Sequence, residues 1–469
     1  MPPVAPYWIP YFGHVFEFFR DPGKLVQNLR KKYPGVPFSL VMMGTKFHVF
    51  DSVESASTIF SRSRDFDFSP IVASMMQNGL DLPDQDTQIY QGTFRSAKGS
   101  KPFQDLVHNA YIRFLTGKHL DSIMKVYRVN LVHYMNENFQ LPGTEKRNIF
   151  VFEEMRRLVF ATSVTTFFGT RIQKDYPGFW EDFRRVDDTL YAGVRSNLPF
   201  RLSRQAWQAR ERILLAFDRW IDTAVQEWPG VDEIWCEEWG LKLNWERERL
   251  HRDNGITSRG RSCAHLSFLW VSMTNVGPLA TTFLMNLLES PIYKEQFQSK
   301  AESAVTGYSG NMSDFDLTKL KLDPWVQGFW KETIRLGSTS ASARVLQKDE
   351  QLEGFTLHKG SLVFLPVQLM HYNPDVFEDP TKFDPNRWIG GEDKRQNSSL
   401  RPFGGGSSIC SGRFLAEQET LLIAAIFLLR FDIKIKSPQK PFKRNPRALG
   451  IMGPLRDIEL ELRPRTGGI

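Results

Sequence analysis

Between Leu120 and Gln226 apolar residues recur at three- and four-residue intervals, the period that lines one face of an α-helix. Four stretches carry the pattern in full: Met124 to Phe139, Val151 to Phe168, Trp180 to Tyr191 and Gln205 to Gln226. The first third of the chain instead alternates over short segments, and Phe38 to Met42 and Phe47 to Phe50 predict strands of a small sheet. After Leu336 strands return, Phe355 to Leu357 and Leu362 to Leu365, separated by His358-Lys359-Gly360. The charged stretch from Asn244 to Arg261 reads as an exposed connection. The apolar run Leu266 to Leu288 is long enough to span a bilayer, but Asn275, Gly277 and Pro278 interrupt it and His265 borders it, so a buried central helix is expected. The predicted class is mainly α with a small β region.

No linker, repeat or low-complexity tract divides the 469 residues, so residues 1–469 read as one large domain. Three widely spaced cysteines, Cys236, Cys263 and Cys410, argue against a disulfide framework and for a reducing compartment; Cys236 and Cys263 read as inert. The net charge of +7 reads as a solvated surface, with docking to an acidic partner as the alternative, and no nucleic acid is expected. The chain opens on Met1-Pro2-Pro3-Val4-Ala5-Pro6, aromatic residues and Pro10. This Pro-rich opening has the character of a hinge that follows a membrane anchor, and the expectation is that the natural protein carries such an anchor ahead of it.

Chemistry concentrates in Pro402-Phe403-Gly404-Gly405-Gly406-Ser407-Ser408-Ile409-Cys410-Ser411-Gly412-Arg413, just before an apolar helical stretch. Phe403 stands seven residues before Cys410, Gly406 four before it and Gly412 two after it. Glycines let backbone approach a flat macrocycle, backbone N–H groups can hydrogen-bond a thiolate, and Phe403 would shield the sulfur from water. Cys410 thus reads as a thiolate ligand for haem iron. A buried structural cysteine is the alternative, whereas a phosphate cradle lacks its lysine and preceding strand. Separately, Glu332-Thr333-Ile334-Arg335 puts a carboxylate and a guanidinium on one helical face, and Phe383-Asp384-Pro385-Asn386-Arg387-Trp388 supplies a second arginine. One glutamate and two arginines can form a buried bidentate network that holds the cysteine loop in shape.

In this order and spacing the pieces resemble the cytochrome P450 family over nearly the whole chain. The resemblance implies a single-domain P450 fold, haem b with Cys410 as axial ligand, and a structural triad of Glu332, Arg335 and Arg387. It also implies reductive activation of O2, with electrons from a separate NADPH-dependent reductase, a hydrophobic small-molecule substrate, and a membrane surface on the cytosolic face of the endoplasmic reticulum. Within Val271-Ser272-Met273-Thr274-Asn275-Val276-Gly277-Pro278, Thr274 takes the place of the family's usual acid and Asn275 that of its threonine, so the usual proton-relay pair is absent. That substitution, with Gln368-Leu369-Met370-His371 and Ser196-Asn197-Leu198-Pro199-Phe200, narrows the resemblance to the branch of cholesterol 7-alpha-hydroxylase, related sterol hydroxylases and prostacyclin synthase.

For the haem propionates the resemblance implies Arg344 and His108, with Ser408 where the family often has Arg or His; the other histidines look unremarkable. It places the cavity wall at Phe66 to Gly92, Leu190 to Leu202, Met273 to Pro278, Ser340 to Ala343 and Leu449 to Pro454, stretches suited to a rigid sterol or terpenoid. Asn275 and Thr274 would position water for proton delivery. The competing readings are a reductase-independent haem-thiolate isomerase or dehydratase acting on a peroxide, and a non-catalytic haem or lipid-binding protein.

Overall fold

The computed structural model describes residues 1–92, 102–141, 145–196, 203–227, 233–306, 315–339, 341–390, 393–436, 443–446, 448 and 450–465. At its centre helices Gly117–Asn138, Val151–Phe168, Val276–Leu288 and Arg413–Arg430 pack against one another. Two of these are predominantly apolar and are enclosed: every residue from Gln418 to Leu429 is buried, and so is every residue from Val276 to Leu287. The helical stretches expected from periodicity are all present, with Gly117–Asn138, Phe179–Ser196 and Arg204–Glu227 extending beyond the predicted limits.

The β region is small, as expected. Its five-stranded sheet runs Phe38–Met42, Thr45–Val49, Leu362–Pro366, Ala341–Leu346, Phe66–Asp67. The first two form a hairpin whose turn residues Met43 and Gly44 both have positive φ, the turn that matches strand twist. Leu362–Pro366 adds to it in parallel. A second sheet joins Phe431–Ile435, Glu459–Pro464 and Arg147–Phe150. Phe355–Leu357 pairs back with Glu350–Leu352, so His358-Lys359-Gly360 leads from one sheet to another.

The stretch from Asn244 to Arg261 corrects the sequence reading. It is mostly helix, Lys242–Asp253 and the start of Ser258–Met273, with Asn244, Arg247, Glu248 and His251 buried. Its buried charges have bonded partners. Arg247 donates to Asn244 Oδ1 at 3.0 Å and to the Ala264 carbonyl at 2.8 Å, and lies 4.7 Å over the Phe268 ring. Glu248 pairs with Arg261 at 2.6 Å. Paired charge can be enclosed without the desolvation cost of lone charge, and composition alone does not reveal pairing.

The central helix is buried as expected and is built as two segments, Ser258–Met273 and Val276–Leu288. Hydrogen bonds bracket the interruption: Thr274 N–H donates to Trp270 O at 3.0 Å and Leu279 N–H to Asn275 O at 3.0 Å. Several bonds are missing between them; one is the bond that Pro278 cannot donate to the Thr274 carbonyl, which its ring crowds as well. Pro278 therefore opens the helix at Thr274 and Asn275.

Candidate active site

The cysteine loop runs from the end of the short helix Lys394–Ser399 to the start of Arg413–Arg430. Cys410 N–H donates to Phe403 O at 3.0 Å, Gly404 N–H to Arg401 O at 3.1 Å, and Arg413 Nη1 to Cys410 O at 2.9 Å, which folds the loop onto itself. Gly406 has φ +68°, and a Cβ there would lie 2.1 Å from the Phe60 carbonyl oxygen. Gly405 has no room either, its Cβ meeting the Phe60 ring at 2.7 Å. At Gly412 the protein itself leaves room, since a Cβ would make an ordinary 3.9 Å contact with Cys410 Sγ. What Gly412 contributes is its N–H, which hydrogen-bonds the sulfur. Burial raises the Cys410 thiol above its usual pKa, and the Gly412 N–H and Arg413 oppose that rise. The residue is nonetheless solvent-exposed. Cys263 is buried and its thiol pushed up to about 12 by that burial, in keeping with an inert group. Phe403 packs against the main core from its partly buried position.

Glu332, Arg335 and Arg387 come together. Helix Pro324–Gly337 is started by Asp323, which accepts from Trp325 and Val326 N–H, and the helix carries Glu332 and Arg335 at zero exposure. Glu332 Oε1 accepts from Arg335 Nη2 at 2.7 Å, Arg387 Nε at 3.1 Å and Asp384 N–H at 3.1 Å. Its Oε2 accepts from Arg335 Nε at 2.9 Å and Trp388 Nε1 at 3.0 Å. Arg335 Nη1 continues to the carbonyls of His371 and Pro380, both at 2.7 Å.

His371 is not unremarkable. Its Nδ1 lies 3.0 Å from Arg335 O, and its Nε2 accepts from Arg401 N–H at 3.0 Å, one residue before the loop. Accepting at Nε2 requires a neutral ring with its proton on Nδ1, and burial lowers its pKa to about 3. The carboxylate network is thus linked through His371 to the cysteine loop. His371 and Trp388 both lay inside runs singled out in the sequence, but nothing in those runs marked their bonds.

Arg344 donates into the loop, and two buried side-chain nitrogens on a nearby helix have no hydrogen-bond partner among the described residues. Arg344, on strand Ala341–Leu346, is 3% exposed, sits 5.5 Å and 4.6 Å over the rings of Phe60 and Phe68, and donates to Ser408 Oγ at 2.8 Å. Burial lowers its pKa to about 10, with Asp67 opposing. On helix Phe103–Phe114, Gln104 Nε2 and His108 Nε2 are buried with no hydrogen-bond partner among the described residues. Burial lowers the His108 pKa, Asp105 opposes, and the Arg413 charge, three residues past Cys410, adds to the lowering. Buried donors left unbonded are costly, and two carboxylates of a planar cofactor at this loop would satisfy them. The residues fit haem.

Thr274 Oγ1 donates to Asp187 Oδ1 at 2.6 Å, and Asn275 Oδ1 accepts from Ile451 N–H at 3.1 Å. A cavity of about 660 Å³ lies beside the helix break, with Thr274, Pro278, Ile451, Gly453 and Pro454 in its wall as expected. Its other side comes from Phe16, Phe152, Arg156 and Asp187, which the sequence reading did not place there, while Phe66 to Gly92 contributes nothing to it. Residues 197–202, Ser340 and Leu449 lie outside the described residues.

The Cytochrome P450 family model matches residues 2–461. The chain belongs to the cytochrome P450 family. It is a P450 monooxygenase, an oxidoreductase, and the family's cofactor is haem b held through a cysteine thiolate. Cytochrome P450 monooxygenase poxD of Penicillium oxalicum is 24% identical, over 92% of this chain and 87% of that protein. Cholesterol 7-alpha-monooxygenase of Cricetulus griseus is 24% identical, over 98% of this chain and 93% of that protein. The retinoic acid-bound cyanobacterial CYP120A1 structure superposes with a TM-score of 0.75 at 18% identity, over 99% of both chains, and shares the fold.

Proposed function

We propose that this P450 hydroxylates a rigid hydrophobic substrate of the sterol or terpenoid kind, with Cys410 as axial thiolate and electrons from an NADPH-dependent reductase. The observation that carries the cofactor site is the Cys410 loop, tied through His371 to the Glu332 network and bonded at Ser408 by the buried Arg344. The substrate class rests on similarity to the sterol hydroxylases. A thiolate-ligated haem supplies the electron push that favours O–O cleavage. The chain's own parts do the rest. Gly412 N–H and the loop turn hold the sulfur, Arg344 and His108 anchor carboxylates, and Phe403 walls the sulfur side. Asn275 fixes the 450–451 backbone to the helix break, while Thr274 offers a hydroxyl there.

We also place the protein at the cytosolic face of the endoplasmic reticulum membrane. Trp8 at 96% exposure, with Tyr11 and Phe16 also exposed, gives the chain's beginning an apolar surface suited to lipid.

Titrating the haem-loaded protein with sterols and terpenoids should shift the haem spin state, and the responsive compound should then yield an oxygenated product only with reductase, NADPH and O2. Turnover of a hydroperoxide under anaerobic, NADPH-free conditions would replace the proposal with the isomerase reading. A normal thiolate spectrum with no turnover of any kind would leave a binding protein.

A further inference from the structure

The central helix has no acid at its break, yet a carboxylate stands there. Asp187, on helix Phe179–Ser196, is buried, and its Oδ1 accepts from Thr274 Oγ1 at 2.6 Å and from Trp270 Nε1 at 2.9 Å. Its Oδ2 accepts from Arg156 Nη2 at 2.9 Å. Both oxygens are thus fixed by donors from two other helices and the break between the central segments, and the same carboxylate, with Thr274, forms part of the wall of the 660 Å³ cavity. That cavity is large enough for many waters and has polar partners to order them.

We propose that Asp187 replaces the missing helix acid, taking protons from the cavity and passing them through the Thr274 hydroxyl to the helix break. The inference rests on the monooxygenase reading above. One proton enters from cavity water onto the Asp187 carboxylate. As Asp187 hands a proton to Thr274 Oγ1, the hydroxyl releases its own to a water at the break, so both side chains end as they began and the net change is one proton moved inward. Asp187 acts through Thr274 and is therefore a positioning and relay residue.

Its environment suits reversible protonation. Burial raises the Asp187 carboxyl above the usual range, while Arg156 and the bonds from Thr274 and Trp270 pull it back. The charges facing the pair are Arg156 and Glu153 on helix Val151–Phe168, Asp188 and Arg184 on its own helix, and Arg20 across the cavity on helix Val15–Arg20. Asp188 also bonds Arg156, at 2.8 Å, but its side chain is 51% exposed and touches neither Thr274 nor Trp270 among the described bonds.

The experiment uses the haem-loaded protein with an NADPH-dependent reductase and O2, comparing Asp187→Asn, Asp187→Glu, Thr274→Val and the control Asp188→Asn. Asp187→Asn should slow NADPH consumption about tenfold or more and enlarge its solvent deuterium effect, a loss within the range of one acid–base group. Asp187→Glu should restore part of it, and Asp187→Asn with Thr274→Val should be no slower than either alone, since the two act as a unit. Independently of turnover, infrared difference spectra of the resting protein across pH should contain a carboxyl band that is absent in Asp187→Asn and perturbed in Thr274→Val. If wild type consumes NADPH while Asp187→Asn, folded and thiolate-ligated, keeps its rate and isotope effect, the relay is wrong and the monooxygenase reading stands. If wild type consumes none with the reductase, both fall together.

Discussion

Glu332→Gln should strip haem from this protein out of proportion to its effect on folding. The carboxylate receives five hydrogen bonds, three at Oε1 and two at Oε2, and neither it nor Arg335 is exposed. In the best placement the amide oxygen keeps the three-bond position and the new NH2 faces Arg335 Nε and Trp388 Nε1, two donors it cannot accept from. Losing two bonds to a carboxylate costs about 2–4 kcal/mol, and leaving a buried guanidinium without its counter-charge sets the total near the upper end of the range for a broken buried pair, about 3–5 kcal/mol. The strain falls on Arg335, whose Nη1 holds the His371 carbonyl and, through His371 Nε2, the Arg401 N–H at the mouth of the cysteine loop. The measurements are the urea midpoint from tryptophan fluorescence and the thiolate-ligated fraction from the reduced carbon monoxide spectrum. Leu214→Ala, in a fully buried position on helix Arg204–Glu227, is the comparison, because a core cavity also costs about 2–5 kcal/mol without touching the loop. The glutamine variant should lose most of its thiolate-ligated haem under conditions where Leu214→Ala retains it. Equal haem retention at equal midpoint shift would refute the link through His371, and an unchanged midpoint would refute the network itself.

Acid should destabilise the fold through its buried histidines. Burial lowers His371 and His251 to about 3 and His48 to about 4, so each stays neutral in the fold while charging in the unfolded chain below about 6.5. Their stabilisation is present above that value and is lost as pH falls toward 4, at about 1.4 kcal/mol per pH unit for each. His48→Asn should therefore flatten the pH slope of the urea midpoint between pH 6 and 4.5, and an unchanged slope would count against it. Gly406→Ala should abolish haem loading, read as haem absorbance per protein, since a positive φ costs an alanine about 1–2 kcal/mol even before its Cβ meets Phe60 O at 2.1 Å; normal loading would show that the loop relaxes freely. Arg344→Met removes a charged donor worth about 1.5–3 kcal/mol to a bonded anion, so transfer of haem to an apo-globin acceptor should speed up roughly ten- to a hundredfold; an unaltered rate would remove Arg344 from the anchor.

What could be read from the chain was chemistry whose parts are neighbours in sequence or recur at helical spacing. Phe403, Gly406, Cys410 and Gly412 lie within ten residues, and Glu332 and Arg335 share a helical face, so their spacing already restricts their geometry. The apolar period likewise found Val151–Phe168 without error, because an enclosed helix must be apolar wherever it is enclosed. The failures share a different cause. Asn244 to Arg261 looked exposed because charge is ordinarily solvated, and the partners that allow Arg247 and Glu248 inside are Ala264, Phe268 and Arg261, visible only once two helices meet. His371 looked ordinary because its role depends on two backbone groups, which every residue carries and no pattern marks. The same reasoning applies with most force to Asp187, which meets Thr274 across 87 residues of chain. Reading the central helix alone, Thr274 is a lost acid. Folded, the hydroxyl at that position is the shorter partner of a carboxylate brought from another helix, so the substitution and the distant aspartate are two halves of one arrangement, and a change at either should be felt at the other.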